Sequence, residues 1–315
     1  MGTQPQSHSS WRRPIRGALR LGEVCAVLVL LVLVYWFGVR PRQLHWGATS
    51  GELRTALPEN GIVAYPAFDA TRAITIHARP EQIWPWLVQM GYGRAGFYGY
   101  DLIENPGGGR GLQSATAILP EFQHLRTGDT LPLSVAASLE FGTIEPNRVL
   151  VWRSRGIPHS GVFIWALVPI DAGHTRLISR IRWRYLSDPV GRALGLFTEV
   201  SDHVAVMAIL RGVRDRAEGC RPPSLVLQGF EIAGWLVAML ELLWAMGMIL
   251  WSRHPVAWAC VAACTGLMLM FLLYADAPAW LNALVPWAWL AAMLAAARAG
   301  GTAARIRHPS NSAAN

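Results

Sequence analysis

The chain contains no lysine: all 28 basic residues among its 315 are arginine. That is the mark of a GC-rich coding bias rather than of chemistry, although Arg suits phosphate and carboxylate better than Lys does. Charge of either sign is scarce. Only 15% of the residues are charged and 52% are hydrophobic, against about 25% charged in an ordinary soluble domain. Such a composition excludes disorder for most of the chain and argues against a purely soluble protein. Cysteine is scarce too. Cys25, Cys260 and Cys264 lie inside apolar runs and Cys220 stands alone, so there is no disulfide framework. With no His near Cys260 and Cys264, these read as small packing residues and no metal site is expected.

Other absences narrow the function. No G-x-S-x-G elbow, H-E-x-x-H or paired-Cys motif occurs. Gly91, Gly93 and Gly96 match G-x-G-x-x-G, but a helical pattern precedes them and no βαβ unit surrounds them, so they read as a tight connection between helices. No nucleotide, and no cofactor of any kind, is expected. Nine His are scattered without forming a close ligand pair, and Asp202 and His203, adjacent on a helix, point about 100° apart and are no ready acid–base pair. No basic block with interleaved aromatics suggests nucleic acid. The formal charge of +8 instead collects beside apolar segments; residues 40–224 hold 20 Arg against 16 acids.

What is abundant is long apolar sequence. Four stretches reach the roughly 20 residues that span a bilayer: 21–39, 225–251, 256–275 and 279–297. The first has Tyr35, Trp36 and Phe37 where a cleavage motif would stand, so it reads as an uncleaved anchor. Trp251, Trp258, Trp280 and Trp287 lie near predicted ends, as interfacial indoles do. The N-terminal tail 1–20, the 252–255 loop and the basic, disordered tail 298–315 hold eight Arg, whereas the 276–278 loop holds Asp276 and none. Both termini are therefore expected in the cytoplasm and residues 40–224 outside. Glu231 and Glu241 fall inside the second span, where a carboxylate is a functional candidate or a group bonded to another helix.

Between the spans the pattern changes. Residues 40–70 read as an irregular lead-in. Thr71–Ala78 alternates like a strand, with Ile74 and Ile76 on one face, and Glu81–Met90 reads as a helix. Strands follow at 129–133, 139–144, 149–153, 161–170 and 174–185, the last with Leu177, Ile181, Trp183 and Tyr185 on one face and Arg176, Arg180, Arg182 and Arg184 on the other. The Arg face is expected either to pair in solvent with residues such as Glu140 and Glu145 or to meet anionic lipid headgroups. A long helix then runs from Pro189 to about Glu218, with Val190, Leu194, Phe197, Val200, Val204, Met207 and Leu210 as an apolar stripe. This order gives an α+β helix-grip fold: an antiparallel curved sheet over a long C-terminal helix (core about 70–218), plus four transmembrane α-helices.

The run TRAITIHARPEQIWPWLVQMGYGRAGFYGYDLIEN, with LPEFQHLRTGD after it, resembles bacterial members of the SRPBCC superfamily. These are START-like proteins of the polyketide cyclase/dehydrase and lipid-transport type. The resemblance covers roughly residues 45–220 and leaves out the three C-terminal spans. It implies a deep cavity between sheet and helix, lined here by Phe163, Trp165, Leu177, Ile181, Trp183, Phe197, Val200, Val204 and Met207. The alternative is that these residues fill a core. Arg94, Tyr98, Tyr100, Asp101 and Glu104 form the best polar group, read either as a clamp at the cavity mouth or as a salt-bridged structural loop. The expected function is a membrane-anchored, non-catalytic module for a hydrophobic small molecule or lipid, in a bacterial cytoplasmic membrane. The alternatives are a cyclase- or hydrolase-type enzyme using a cavity acid or base, and an interaction protein with a filled core. The sequence names no protein partner.

Overall fold

The computed structural model describes residues 29–30, 32–106, 111–156, 160–185, 188–252 and 255–307. The tail 1–20, the first part of the expected span at 21–39 and residues 308–315 lie outside the described residues. A π-helical stretch, Tyr35–Val39, leads into α1 (Arg40–Leu44), and α2 (Ser50–Arg54) follows. Thr49 and Glu52 close α2 with a reciprocal capping box.

Six strands make one antiparallel sheet: β1 (Phe68–Ile76), β2 (Thr130–Pro132), β3 (Ser138–Glu145), β4 (Val149–Arg153), β5 (Gly161–Pro169) and β6 (Thr175–Trp183), in the order β1-β6-β5-β4-β3-β2. Helices α3 (Pro80–Gln89) and α4 (Asp101–Glu104) separate β1 from β2, and the long α5 (Pro189–Ala217) returns across the sheet. This is the helix-grip arrangement expected from the order of elements. The inner face carries Ile74, Leu150, Trp152, Trp165, Leu167 and Leu177, which bury against Ile83 and Leu87 of α3 and Val206, Leu210 and Val213 of α5.

The outer face is covered as well. Ala73, Val149, Val151, Ile164 and Ile178 form a second small core under Leu57, Ile62 and Val63 of the lead-in. This corrects the reading of the arginine face as solvated or lipid-facing for Arg176, Arg180 and Arg182, whereas Arg184, past the end of β6, is exposed. Arg176 pairs with Glu52 at 2.8 Å, Arg180 donates to Thr71 and to the Thr55 carbonyl, and Arg182 pairs with Asp69 at 3.1 Å. The expected partners lie elsewhere: Glu140 pairs with Arg153 and Glu145 with Arg148. The reason is strand order, since β6 lies between β1 and β5 and never neighbours β3.

Four described helices are long and apolar enough to cross a membrane: Pro189–Ala217, Leu225–Ile249, Val256–Tyr274 and Ala279–Ala296. The first of these is α5, which lies on the sheet and carries Glu199, Asp202, His203 and Arg216 on its buried side, so it belongs to the domain. The other three belong to α6 (Leu225–Trp251), α7 (Pro255–Tyr274) and α8 (Ala279–Arg307). Helix α8 runs on through part of the tail expected to be disordered.

The domain is fastened to the C-terminal end of α7. His203 Nε2 donates to the Leu273 carbonyl at 3.0 Å and Trp46 Nε1 to the Tyr274 carbonyl at 2.9 Å, while Arg211 donates to the Ala275 carbonyl. Asp276 then accepts from Arg214 at 2.7 Å and Arg211 at 3.1 Å. Above this junction a charged pair is sealed between β1 and α5. Arg72, 1% exposed, donates to Asp202 at 2.6 Å and to the Gln43 carbonyl at 2.9 Å. Arg40 of α1 pairs with Glu199 one turn away at 2.7 Å.

Removing one member of such a pair strands the other charge in the interior. Arg72→Met is expected to lower stability by about 3–5 kcal/mol, and Arg72→Met with Asp202→Leu to recover most of that loss. Thermal unfolding of the detergent-solubilised full chain measures both; equal losses in the single and double variants would refute the pairing.

Candidate functional site

The sheet register assembles an aromatic wall. Trp152 of β4 stands opposite Phe163 of β5, and Phe163 stands opposite Ile181 of β6. Two positions along, Leu150, Trp165 and Ser179 line up in the same way, and Ser179 faces Arg72 of β1. Alternation points all of them to the inner face. The rings of Trp152 and Trp165 are 5.2 Å apart between centroids, and Phe163 bridges Trp152 at 6.3 Å to Trp183 at 6.1 Å.

Three polar atoms on this wall have no partner among the described residues: Nε1 of Trp152, Nε1 of Trp165 and one terminal nitrogen of Arg72. The indoles are 3% and 1% exposed. All three atoms are donors. A buried donor left unsatisfied costs about 1–3 kcal/mol, and interior indoles usually find a partner. The wall thus presents buried donors for which the described residues supply no acceptor.

The expected lining divides into two sets. Trp165, Leu177 and Ile181 are buried, with Phe163 and Trp183 half-buried beside them; Met207 is buried elsewhere, in the small gap toward α6 and α7. Phe197, however, is 71% exposed and Val200 also faces outward. Val204 lies between the domain and the spans, in a small gap with Tyr100, Trp235 and Leu272. That corrects the lining expected from α5. Its buried residues include Gly191, Gly195, Glu199, Val206, Leu210 and Val213, and His203, which turns to the end of α7. A Cβ at Gly195 would stand 2.4 Å from the Tyr185 ring, so the helix closes on the sheet by backbone there.

The loop cluster also separates. Arg94 touches no carboxylate; it donates to the Met90 and Val88 carbonyls at the end of α3 and lies 4.4 Å over Phe122. Tyr98, buried at φ +71°, donates to the Trp86 carbonyl. Tyr100 and Asp101 reach the membrane helices instead. The Tyr100 hydroxyl donates to Glu231 of α6 at 2.8 Å, and Gln228 Nε2 donates to Asp101 at 3.3 Å. Burial, with the neighbouring Glu231 carboxylate, pushes the Tyr100 phenol well above its ordinary 10.0, so it remains a donor. Glu104 folds back under Gly99, accepting its backbone N–H at 3.2 Å. Glu241 lies deeper in α6, and neither of its carboxylate oxygens has a partner.

Several residues here were not singled out from the sequence. Arg72 shares the face of Ile74 and Ile76, so an inward charge was legible in the alternation. Trp152 was legible only as part of a strand. Gln228 and Asn282 carried no signal, because an amide in an apolar run gains meaning only from its neighbours. Among the described residues, no three His, Cys, Asp or Glu stand together as a metal site.

No family model and no curated protein matches the chain. Solved structures do match it. The Zhui aromatase/cyclase from a Streptomyces species is 17% identical over 48% of this chain and 93% of its own, with a TM-score of 0.28. A Polyketide_cyc-like protein from Corynebacterium glutamicum is 13% identical over 48% and 91%, also at 0.28. A Mesorhizobium loti protein is 17% identical over 46% and 96%, at 0.27.

Two buried groups titrate in opposite senses. Burial raises Glu104 from 4.5 to about 7, so the folded state holds more protons across that window and stability falls as pH rises through it. Burial lowers His203 from 6.5 to about 4, so the unfolded state holds more protons there and stability rises with pH. Glu104→Gln is expected to leave a melting temperature that climbs between pH 4.5 and 6.5, and His203→Gln one that falls between 4.5 and 7. Melting curves across this range test the pair; parallel profiles for the two variants would disprove it.

Proposed function

We propose that this chain is a membrane-anchored binding module for a hydrophobic small molecule or lipid that carries a hydrogen-bond acceptor, and that it is not a catalyst. The observation that carries the reading is the pair of neighbouring indole N–H groups, Trp152 and Trp165, buried without an acceptor. A ligand lying along half-buried Phe163 and Trp183 would bury apolar surface and accept from those donors. The polar groups near the wall suit holding rather than proton transfer. The indoles do not titrate, and Asp202 and Glu199 are each paired with an arginine.

The fastening to α7 supports the proposed topology. Trp46, His203, Arg211 and Arg214 all meet the 273–276 segment, so the domain lies on the side of the arginine-free turn between α7 and α8. By the distribution of arginine that side is extracytoplasmic.

The test is mass spectrometry of small molecules that co-purify with the full chain in mild detergent. A defined apolar species is expected in the parent and not in Trp183→Arg. Trp152→Phe and Trp165→Phe keep the rings and delete the donors; each is expected to lower occupancy about fivefold, the worth of one hydrogen bond. Circular dichroism confirms that the variants fold. Identical contents in the parent and all folded variants would reject this function.

A further inference from the structure

A cleft of about 530 Å³ opens at the junction of the domain and the spans, between the loop around Tyr100, the end of α5 and the first turns of α6 and α8. Its deep wall belongs to the membrane helices. Gln228, 4% exposed, and Asn282, 3% exposed, both line it, with Glu231 one helical turn beyond Gln228. Gln228 Nε2 donates to Asp101 and to the Pro223 carbonyl, which fixes the orientation of the amide, and among the described residues its Oε1 accepts nothing. The Asn282 Oδ1 accepts nothing either. Glu231 receives one bond, from Tyr100. The floor of the cleft therefore holds two buried amide oxygens without donors among the described residues, beside a carboxylate that accepts from Tyr100.

The rim has the opposite character. Arg211 and Arg214 are both taken by Asp276. Arg221 is exposed and has no ion pair among the described residues. Beside the rim, Val226, Phe230 and Leu284 stand exposed on α6 and α8, where acyl chains run against such surfaces. Acceptors within, a free cation at the edge and apolar surface outside describe the order of groups along a phospholipid, read from head to tail.

We propose that this cleft binds the headgroup of a membrane phospholipid whose terminal group is a primary ammonium. Its N–H donors meet Gln228, Glu231 and Asn282, and its phosphate meets Arg221. A quaternary ammonium has no N–H and leaves the same acceptors unsatisfied, so the cleft selects against a choline headgroup. This site stands on the membrane-embedded reading of the chain and on residues separate from the Trp152 and Trp165 wall.

The test is binding of short-chain phosphatidylethanolamine and phosphatidylcholine to the delipidated full chain in detergent, followed by native mass spectrometry. The ethanolamine lipid is expected to bind at least about tenfold tighter, the worth of one unsatisfied buried acceptor. Asn282→Ala is expected to shrink that preference, and Arg221→Ala, at an exposed position, to weaken both lipids. Trp165→Phe is expected to change neither, which separates failure here from failure of the wall. Equal binding of the two lipids, or a preference unchanged by Asn282→Ala, would overturn the proposal. Free phosphoethanolamine binding as tightly as the lipid would overturn the membrane source.

Discussion

The end of a helix leaves its last carbonyls without partners, and at the edge of a bilayer they must be satisfied before the chain can turn. In this protein the last carbonyls of α7 are satisfied by another part of the fold. His203, Trp46 and Arg211 take the Leu273, Tyr274 and Ala275 carbonyls in turn, and Asp276 holds Arg211 and Arg214. His203 and the two arginines lie on α5, so α5 is held across the ends of the spans. Once α5 is fixed there, the sheet above it has one orientation relative to α7.

The same constraint explains why the middle of α5 is polar on its inner side. Beneath the sheet it must meet α1, the short helix that follows the N-terminal apolar segment. Arg40 of α1 pairs with Glu199, Gln43 donates to the Glu199 carbonyl, and Arg72 of β1 joins Asp202 to the Gln43 carbonyl. A buried ion pair adds little net stability over an apolar substitute, because desolvation offsets the attraction. It does specify geometry, since few arrangements bring both charges into contact. Here the pairs join a sheet, a grip helix and α1 in one register, where greasy surfaces alone could slide.

Much of this was legible in the residues. The strands from Leu139 to Trp183 stand close to where their alternation places them, and the start of α5 follows from Asp188 and Pro189. The polar loop was recognised as a unit, although its partners were not. Tyr100 and Asp101 read either as a clamp at a cavity mouth or as a structural loop, and Glu231 as an intramembrane carboxylate. They are parts of one junction, made by residues more than a hundred positions apart in the chain. No local spacing encodes such a contact. The covering of the arginine face by the lead-in escaped for a similar reason, since residues 45–67 show almost no periodicity.

The stripe on α5 shows where the hydrophobic pattern itself loses meaning. In a soluble domain the apolar side of a helix is the inner side, because water penalises the alternative. In this chain both sides of α5 border apolar material. One turns to the sheet, and the other turns to the ends of the spans at Val204 and Arg211. Seven residues are almost two full turns, so Val190, Phe197 and Val204 share a side. Val190, Leu194 and Phe197 lie away from the sheet and stand exposed. Hydrophobicity alone does not say which side of such a helix meets the sheet. Gly195 carries the sharper information: a Cβ there would stand 2.4 Å from the Tyr185 ring, so the helix is fitted closely to the chain just beyond β6.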